Sequence, residues 1–201
     1  MAKKPIITIV VGTRPEAIKL APLIIEARTH DELKTRVLLT GQHKEMVEKV
    51  FSFFDIAIDD NLNLMKPAQS LNYITRRSLE GIREDLHKNT PEMVFIQGDT
   101  TTAFSAALAS FYEKIPVGHV EAGLRTESLF DPFPEEANRR LISQISSMHF
   151  APTEKSKNNL IRAGVIGDIH VTGNTGIDSL FLASKKVDEV CLESIDWSKQ
   201  K

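Results

Sequence analysis

Short apolar runs of strand length alternate with amphipathic helical patterns along this sequence, and that alternation constrains the fold more than any other feature. Residues 6–11 form a β-branched run bounded by Pro5 and Gly12. Behind it Ala17, Leu20, Ala21, Ile24 and Ile25 recur at helical spacing, after Pro15, a residue favoured where a helix begins. The couple returns as a strand at 36–40 with a helix at 44–54, and as a short strand at 62–65 with a long helix at 69–88. It returns four times more: 93–97 with 102–114, 116–120 with 135–146, 147–151 with 153–163, and 169–172 with 175–187. Such alternation predicts an α/β fold, a doubly wound parallel sheet of Rossmann-like type. Residues 1–187 read as one domain, and 188–201, where apolar periodicity fails, as a tail or interdomain linker.

In sheets of this kind ligands bind outside the carboxyl ends of the strands, so the residues that close each apolar run are the first candidates for a site. Asp99 sits in the turn Gly98-Asp99-Thr100-Thr101-Thr102, and Glu121 opens the turn that follows the next run. Glu135 and Glu136 follow Pro134 at a helix start. Each has a plainer reading when taken singly. Asp99 is a good N-cap, the two glutamates suit a first helical turn, and Arg125 is spaced to neutralise Glu121. Acids at three successive strand ends or helix starts favour one shared crevice. Gly12-Thr13-Arg14-Pro15-Glu16, with Lys19 beyond, suits an anion, because a helix start offers unpaired N–H groups and partial positive charge. A solvated surface turn is the equal alternative. Neither G-x-G-x-x-G nor G-x-x-x-x-G-K-[ST] occurs, so no dinucleotide site or phosphate loop of those types is expected. His119 and Glu121 would share one strand face. Lacking a third ligand at suitable spacing, His119 reads as a packed strand residue and no metal is expected.

The runs GTRPEAIK, QGDTTTA, HVEAGLRT, FPEEANR and HFAPTE, with a sixth match at 171–178, stand in the order and spacing of a known family. They resemble the amino-terminal half of the non-hydrolysing UDP-N-acetylglucosamine 2-epimerases. The resemblance covers nearly the whole chain, and the chain covers about half of the family's length. It implies one half of a two-domain GT-B-type architecture, with UDP-N-acetylglucosamine as ligand and no cofactor. The reaction implied is interconversion with the manno epimer by loss and re-addition of UDP. By position, Asp99, Glu121 and Glu135 correspond to the family's acid–base carboxylates. Arg14 and Lys19 correspond to its basic residues near the diphosphate, and Glu136 and Arg139 are expected to contact substrate.

Gln42 and His43 match a regulatory site of bacterial members, but Glu45 replaces a common Gln and Ala68 a common Arg, which weakens that expectation. Gly176 also stands where Val is usual. In the family a second domain binds the uridine and contributes a catalytic histidine, so this half is expected to be inactive alone. A separately encoded second domain is one partner the resemblance allows. A homodimer is another, with the helices at 44–54 and 69–88 as the expected contact. Two other functions share the fold: a non-catalytic binding or pairing half, and half of a glycosyltransferase. The three acids favour the epimerase.

A length of 201 residues suits one sizeable domain. A net charge of −2 gives no reason to expect nucleic acid or an anionic membrane as partner. No apolar run approaches the roughly 20 residues of a membrane span, and the first residues lack the apolar stretch of a signal peptide. Cys191 is the single cysteine, so no intramolecular disulfide forms. A cytoplasmic protein is expected.

Overall fold

Seven parallel strands form one sheet in the order β3-β2-β1-β4-β5-β6-β7. The computed structural model describes residues 4–64, 66 and 69–187; Ala68, Cys191 and the expected tail lie outside them. The elements alternate as the sequence requires: β1 (Ile6–Val11), α1 (Arg14–Ala27), β2 (Lys34–Leu39), α2 (Lys44–Phe53), β3 (Asp60–Asn61) and α3 (Leu71–Asn89). There follow β4 (Met93–Gln97), α4 (Thr101–Tyr112), β5 (Val117–Val120) and α5 (Glu135–Ile145). Last come β6 (Met148–Ala151), α6 (Glu154–Arg162), β7 (Asp168–Val171) and α7 (Thr175–Val187). From β1 the chain winds outward to β3 and then returns to β4 on the other side of β1, so the direction of winding reverses between β1 and β4.

Both faces of the sheet are covered over β1, β2, β4 and β5, which is why those strands read as near-continuous apolar runs, whereas β7 at the edge is largely exposed. Ile9, Val11, Val37 and Leu39 pack with Leu20 and Ile24 of α1 and Phe51 of α2. The alternate residues Val10, Leu38, Val94 and Ile96 pack with Ile82 of α3 and the alanines of α4. Those alanines (Ala103, Ala106, Ala107, Ala109) are small enough for α3 and α5 to close on α4 from either side. A buried ion pair crosses this second layer: Arg36 of β2 donates two 3.0 Å bonds to Asp85 of α3. α7 returns to pack on α1. Ser179 there donates to the Ile18 carbonyl, and Lys186 donates to the Phe53 carbonyl at 2.7 Å.

Two expectations shift. The second strand begins at Lys34, and its short neighbour is Asp60–Asn61 rather than 62–65. Parallel pairing with β2 sets that register, Leu38 against Asp60 and Leu39 against Asn61. Leu62 is thereby left to pack beside the α3–α4 core.

Candidate active site

The turn after β4 is held from three sides. Gly98 adopts φ 73°, a left-handed value that favours glycine. Its N–H donates to the Val120 carbonyl at 3.0 Å, and its own carbonyl accepts from His119 Nε2 at 2.7 Å. Thr100, not Asp99, caps α4: its hydroxyl accepts from the Ala103 N–H. The plain reading of Asp99 as an N-cap therefore fails, and its carboxylate is free for other work. Arg139 of α5 grips it through Nε at 3.0 Å and through a second guanidinium nitrogen. Asn138 also binds the Asp99 carbonyl, at 2.9 Å.

Glu136 explains why Arg139 stands where it does. Its side chain has no exposed surface, and its oxygens accept from Arg139 (3.1 Å), Arg140 (2.6 Å) and the Thr126 N–H (3.0 Å). Burial alone would raise this carboxyl, but those donors and the two guanidinium charges outweigh it and hold it below its ordinary value. Glu136, expected to touch substrate, is enclosed here and orients Arg139. Glu135 begins α5, is partly exposed, and makes no hydrogen bond or salt bridge among the described residues. Four residues before Arg139, it lies on the same helix face.

Glu121 leaves the sheet sharply. β5 ends at Val120, and Glu121 has φ 64°, uncommon for a residue with a side chain. His119 and Glu121 therefore do not share a strand face. His119 is buried against the Gly98 carbonyl, while Glu121 reaches α1. Lys19 Nζ lies 2.6 and 2.8 Å from its two oxygens, and Gln97 Nε2 donates at 2.6 Å. Asn174, just before α7, adds a bond of 3.2 Å. Arg125 does not neutralise Glu121; it donates to the Leu124 carbonyl and to Ser143. Among the described residues, no group of three or more His, Cys, Asp or Glu side chains is placed to hold a metal ion.

Just before α1 the Gly12 and Thr13 N–H groups are already taken. Glu16 Oε2 accepts from the Gly12 N–H at 2.6 Å and the Thr13 N–H at 3.0 Å, and Oε1 accepts from the Thr100 hydroxyl at 2.6 Å. Burial raises the Glu16 carboxyl, with Thr100, Gly12 and Thr13 opposing that rise. Lys19, expected at a diphosphate, is paired with Glu121. Arg14 is exposed and makes no salt bridge among the described residues. It borders a cavity of about 680 Å³ between α1, α2 and α7, with Ile18, Lys49, Phe53 and Leu180. Gln42 and His43 lie at the same sheet edge, after β2. The Gln42 side-chain oxygen is engaged by the Thr102 hydroxyl at 2.7 Å, and His43 is exposed.

Sequence reasoning missed Glu16, Gln97, Asn138 and Asn174. Only Glu16 carried a local signal, the Thr13-x-x-Glu16 spacing of a capping box. The others matter through partners remote in the chain.

A family model described as UDP-N-acetylglucosamine 2-epimerase matches residues 25–201. The UDP-N-acetylglucosamine 2-epimerase of Neisseria meningitidis serogroup A is 52% identical over 179 residues, 89% of this chain and 48% of that protein. A crystal structure of UDP-GlcNAc 2-epimerase from Neisseria meningitidis bound to UDP-GlcNAc matches with TM-score 0.89 and 49% identity, over 94% of this chain and 51% of that one. MurG of Acinetobacter baumannii, at 11% identity and TM-score 0.55 over 77% of this chain and 42% of its own, shares the fold alone. The chain spans about half the length of the epimerases it matches. It belongs to the UDP-N-acetylglucosamine 2-epimerase family.

Proposed function

We propose that this chain is the acid-bearing half of an enzyme that interconverts UDP-N-acetylglucosamine and its 2-epimer, and that it turns over nothing alone. The observation that carries the reading is the pair of strand-end carboxylates. Asp99 and Glu121 close the adjacent strands β4 and β5, and a cation from a different helix holds each, Arg139 from α5 and Lys19 from α1. Glu135, without such a cation, stands one helical turn from Arg139. Carboxylates in unlike environments are what two-sided proton transfer requires.

The chemistry begins with the bond between C1 and the UDP oxygen, which breaks with its electron pair leaving on UDP. The electron-poor C1 acidifies the C2 proton, a carboxylate removes it, and a C1=C2 double bond forms. A proton delivered to the opposite face of C2 and return of the UDP oxygen to C1 give the epimer. Every atom and charge is recovered, and no redox partner is needed. A second domain would supply the far wall of the cleft and its contacts to uridine, as a separate chain or as the rest of a longer one. In this reading the enzyme is cytoplasmic, homodimeric, and supplies a precursor of surface polysaccharide. A regulatory site at Gln42 and His43 is not part of the proposal, since Gln42 is engaged with Thr102 and Glu45 departs from the family's pattern.

The test is deuterium entry at C2 of UDP-N-acetylglucosamine in heavy water. These 201 residues joined to the second half of a relative should exchange. The residues alone should not, because oriented binding in a closed cleft contributes about 7–11 kcal/mol that half a cleft forfeits. Asp99→Asn, Glu121→Gln and Glu135→Gln should each slow the joined enzyme by at least ~10²-fold. Near wild-type rates in all three would remove the acid–base assignment.

A further inference from the structure

Sheets wound in this way take phosphates at the crevice where the winding reverses, on backbone N–H groups at the starts of the flanking helices. Here that crevice lies between β1 and β4, with α1 and α4 starting on either side. It already contains a carboxyl group. One oxygen of Glu16 accepts from Gly12 and Thr13 at the start of α1, and the other accepts from Thr100, the N-cap of α4. An ordinary capping-box glutamate serves its own helix at the surface. Glu16 is 3% exposed and bridges two helices that begin 87 positions apart in the chain, at Arg14 and Thr101. Gly12 itself is close-packed against α4, since a Cβ added there would come within 2.8 Å of Thr102 Cγ2.

We propose that Glu16 withholds the Gly12 and Thr13 amides of the β1–α1 turn from phosphate, so that an incoming diphosphate is met there by the Arg14 side chain at the mouth and not by those two amides. Only the identity of that diphosphate rests on the epimerase reading; the exclusion rests on the geometry of Glu16. Gly12 and Thr13 have one N–H each, and both already point at the same carboxylate oxygen. A phosphate there would have to expel a covalently tethered competitor that already holds both amides. The same arrangement makes Glu16 a specificity determinant. Dinucleotides need those amides for their pyrophosphate and find them occupied, whereas a nucleotide sugar held by side chains and a second domain does not.

The experiment titrates the ¹⁵N-labelled chain with inorganic phosphate and, separately, with pyrophosphate, following backbone amides and arginine Nε. In the wild-type chain the Gly12 and Thr13 amides should stay unshifted and slow to exchange, while pyrophosphate perturbs Arg14 Nε. In Glu16→Ala those two amides should shift saturably with phosphate, at an affinity at least ~10-fold above any wild-type response, with Arg14→Ala as the control for the outer contact. Saturable shifts at Gly12 and Thr13 in the wild-type chain would overturn the proposal. So would a folded Glu16→Ala protein whose amides ignore phosphate. If Glu16→Ala does not fold, Glu16→Gln is read instead, and faster exchange at Gly12 and Thr13 supports the role of the carboxyl group, whereas unchanged protection refutes it. Should Arg14 ignore pyrophosphate while the Glu16 results hold, the two amides are withheld as stated and the outer diphosphate contact, with the epimerase reading behind it, is what fails.

Discussion

His119 does two things with one ring. It fixes the Gly98 carbonyl, and so the turn that carries Asp99, and it does this as a neutral donor deep in the sheet. Burial is the main cause that pushes its pKa down to about 3, against the Gly98 bond and with His149, Arg125 and Arg139 adding to the fall. A pKa depressed on folding means that the ring's contribution is complete above about 6.5. It is lost as pH falls toward 3, by up to about 1.4 kcal/mol per pH unit. Urea unfolding of the wild type should therefore weaken between pH 6 and 4 more steeply than that of His119→Gln, which keeps a donor and loses the titration. Equal slopes would mean the ring is not held neutral. At this scale the sequence was legible where chemistry was local. Asp99 and Glu121 ended apolar runs, and their position followed from that. Which of Asp99 and Thr100 would cap α4 was not legible, since both residue types cap well. Nor was the partner of Glu121, because Lys19 lies 102 positions away while the misleading Arg125 lies four away.

The elements themselves were legible because strand and helix periods differ so plainly on a sheet whose central strands are covered on both faces. β3 was the exception: two residues carry no period, and pairing with β2 decides their place. The tie between β2 and α3 was equally hidden. Arg36 and Asp85 are almost fully enclosed and bond bidentately, with Asn89 adding 2.9 Å to the same carboxylate. Burial alone would lower the Arg36 pKa; the bond to Asp85 and the charges of Asp85, Asp59 and Asp60 raise it instead. Removing one member leaves a buried charge uncompensated. Asp85→Ala should therefore destabilise by about 3–5 kcal/mol, measured as a shift in the urea midpoint at constant slope. A loss below 1 kcal/mol would show that Arg36 escapes to solvent.

For the whole molecule, the doubly wound topology followed from the order of elements, and the half-length span from the family motifs. The expected dimer contact did not follow as simply. α2 packs in the layer with α1, and α3 in the opposite layer with α4, so a contact using both must straddle an edge of the sheet. The proposal that copies of this chain associate stands on family resemblance, and sedimentation velocity at micromolar concentration tests it. A dimer is expected, and a clean monomer would remove it.

The left-handed backbone at Glu121 bears on how this sequence can drift. A residue with a side chain in that conformation costs about 1–2 kcal/mol, and a partly exposed ion pair such as that with Lys19, at 12% and 30% side-chain exposure, returns on the order of 0.2–1 kcal/mol. Selection for folding alone should therefore push position 121 toward glycine or asparagine, while position 135, whose side chain has no partner among the described residues, keeps only the mild preference for acids that a first helical turn gives. A saturation library of this domain, sorted only by resistance to protease, should enrich those two residues at 121 and show at most a mild preference for acids at 135. Glutamate persisting at 121 in such a sort would mean that the ion pair outweighs the strain. Glycine prevailing would mark Glu121 as a residue kept against the interest of the fold.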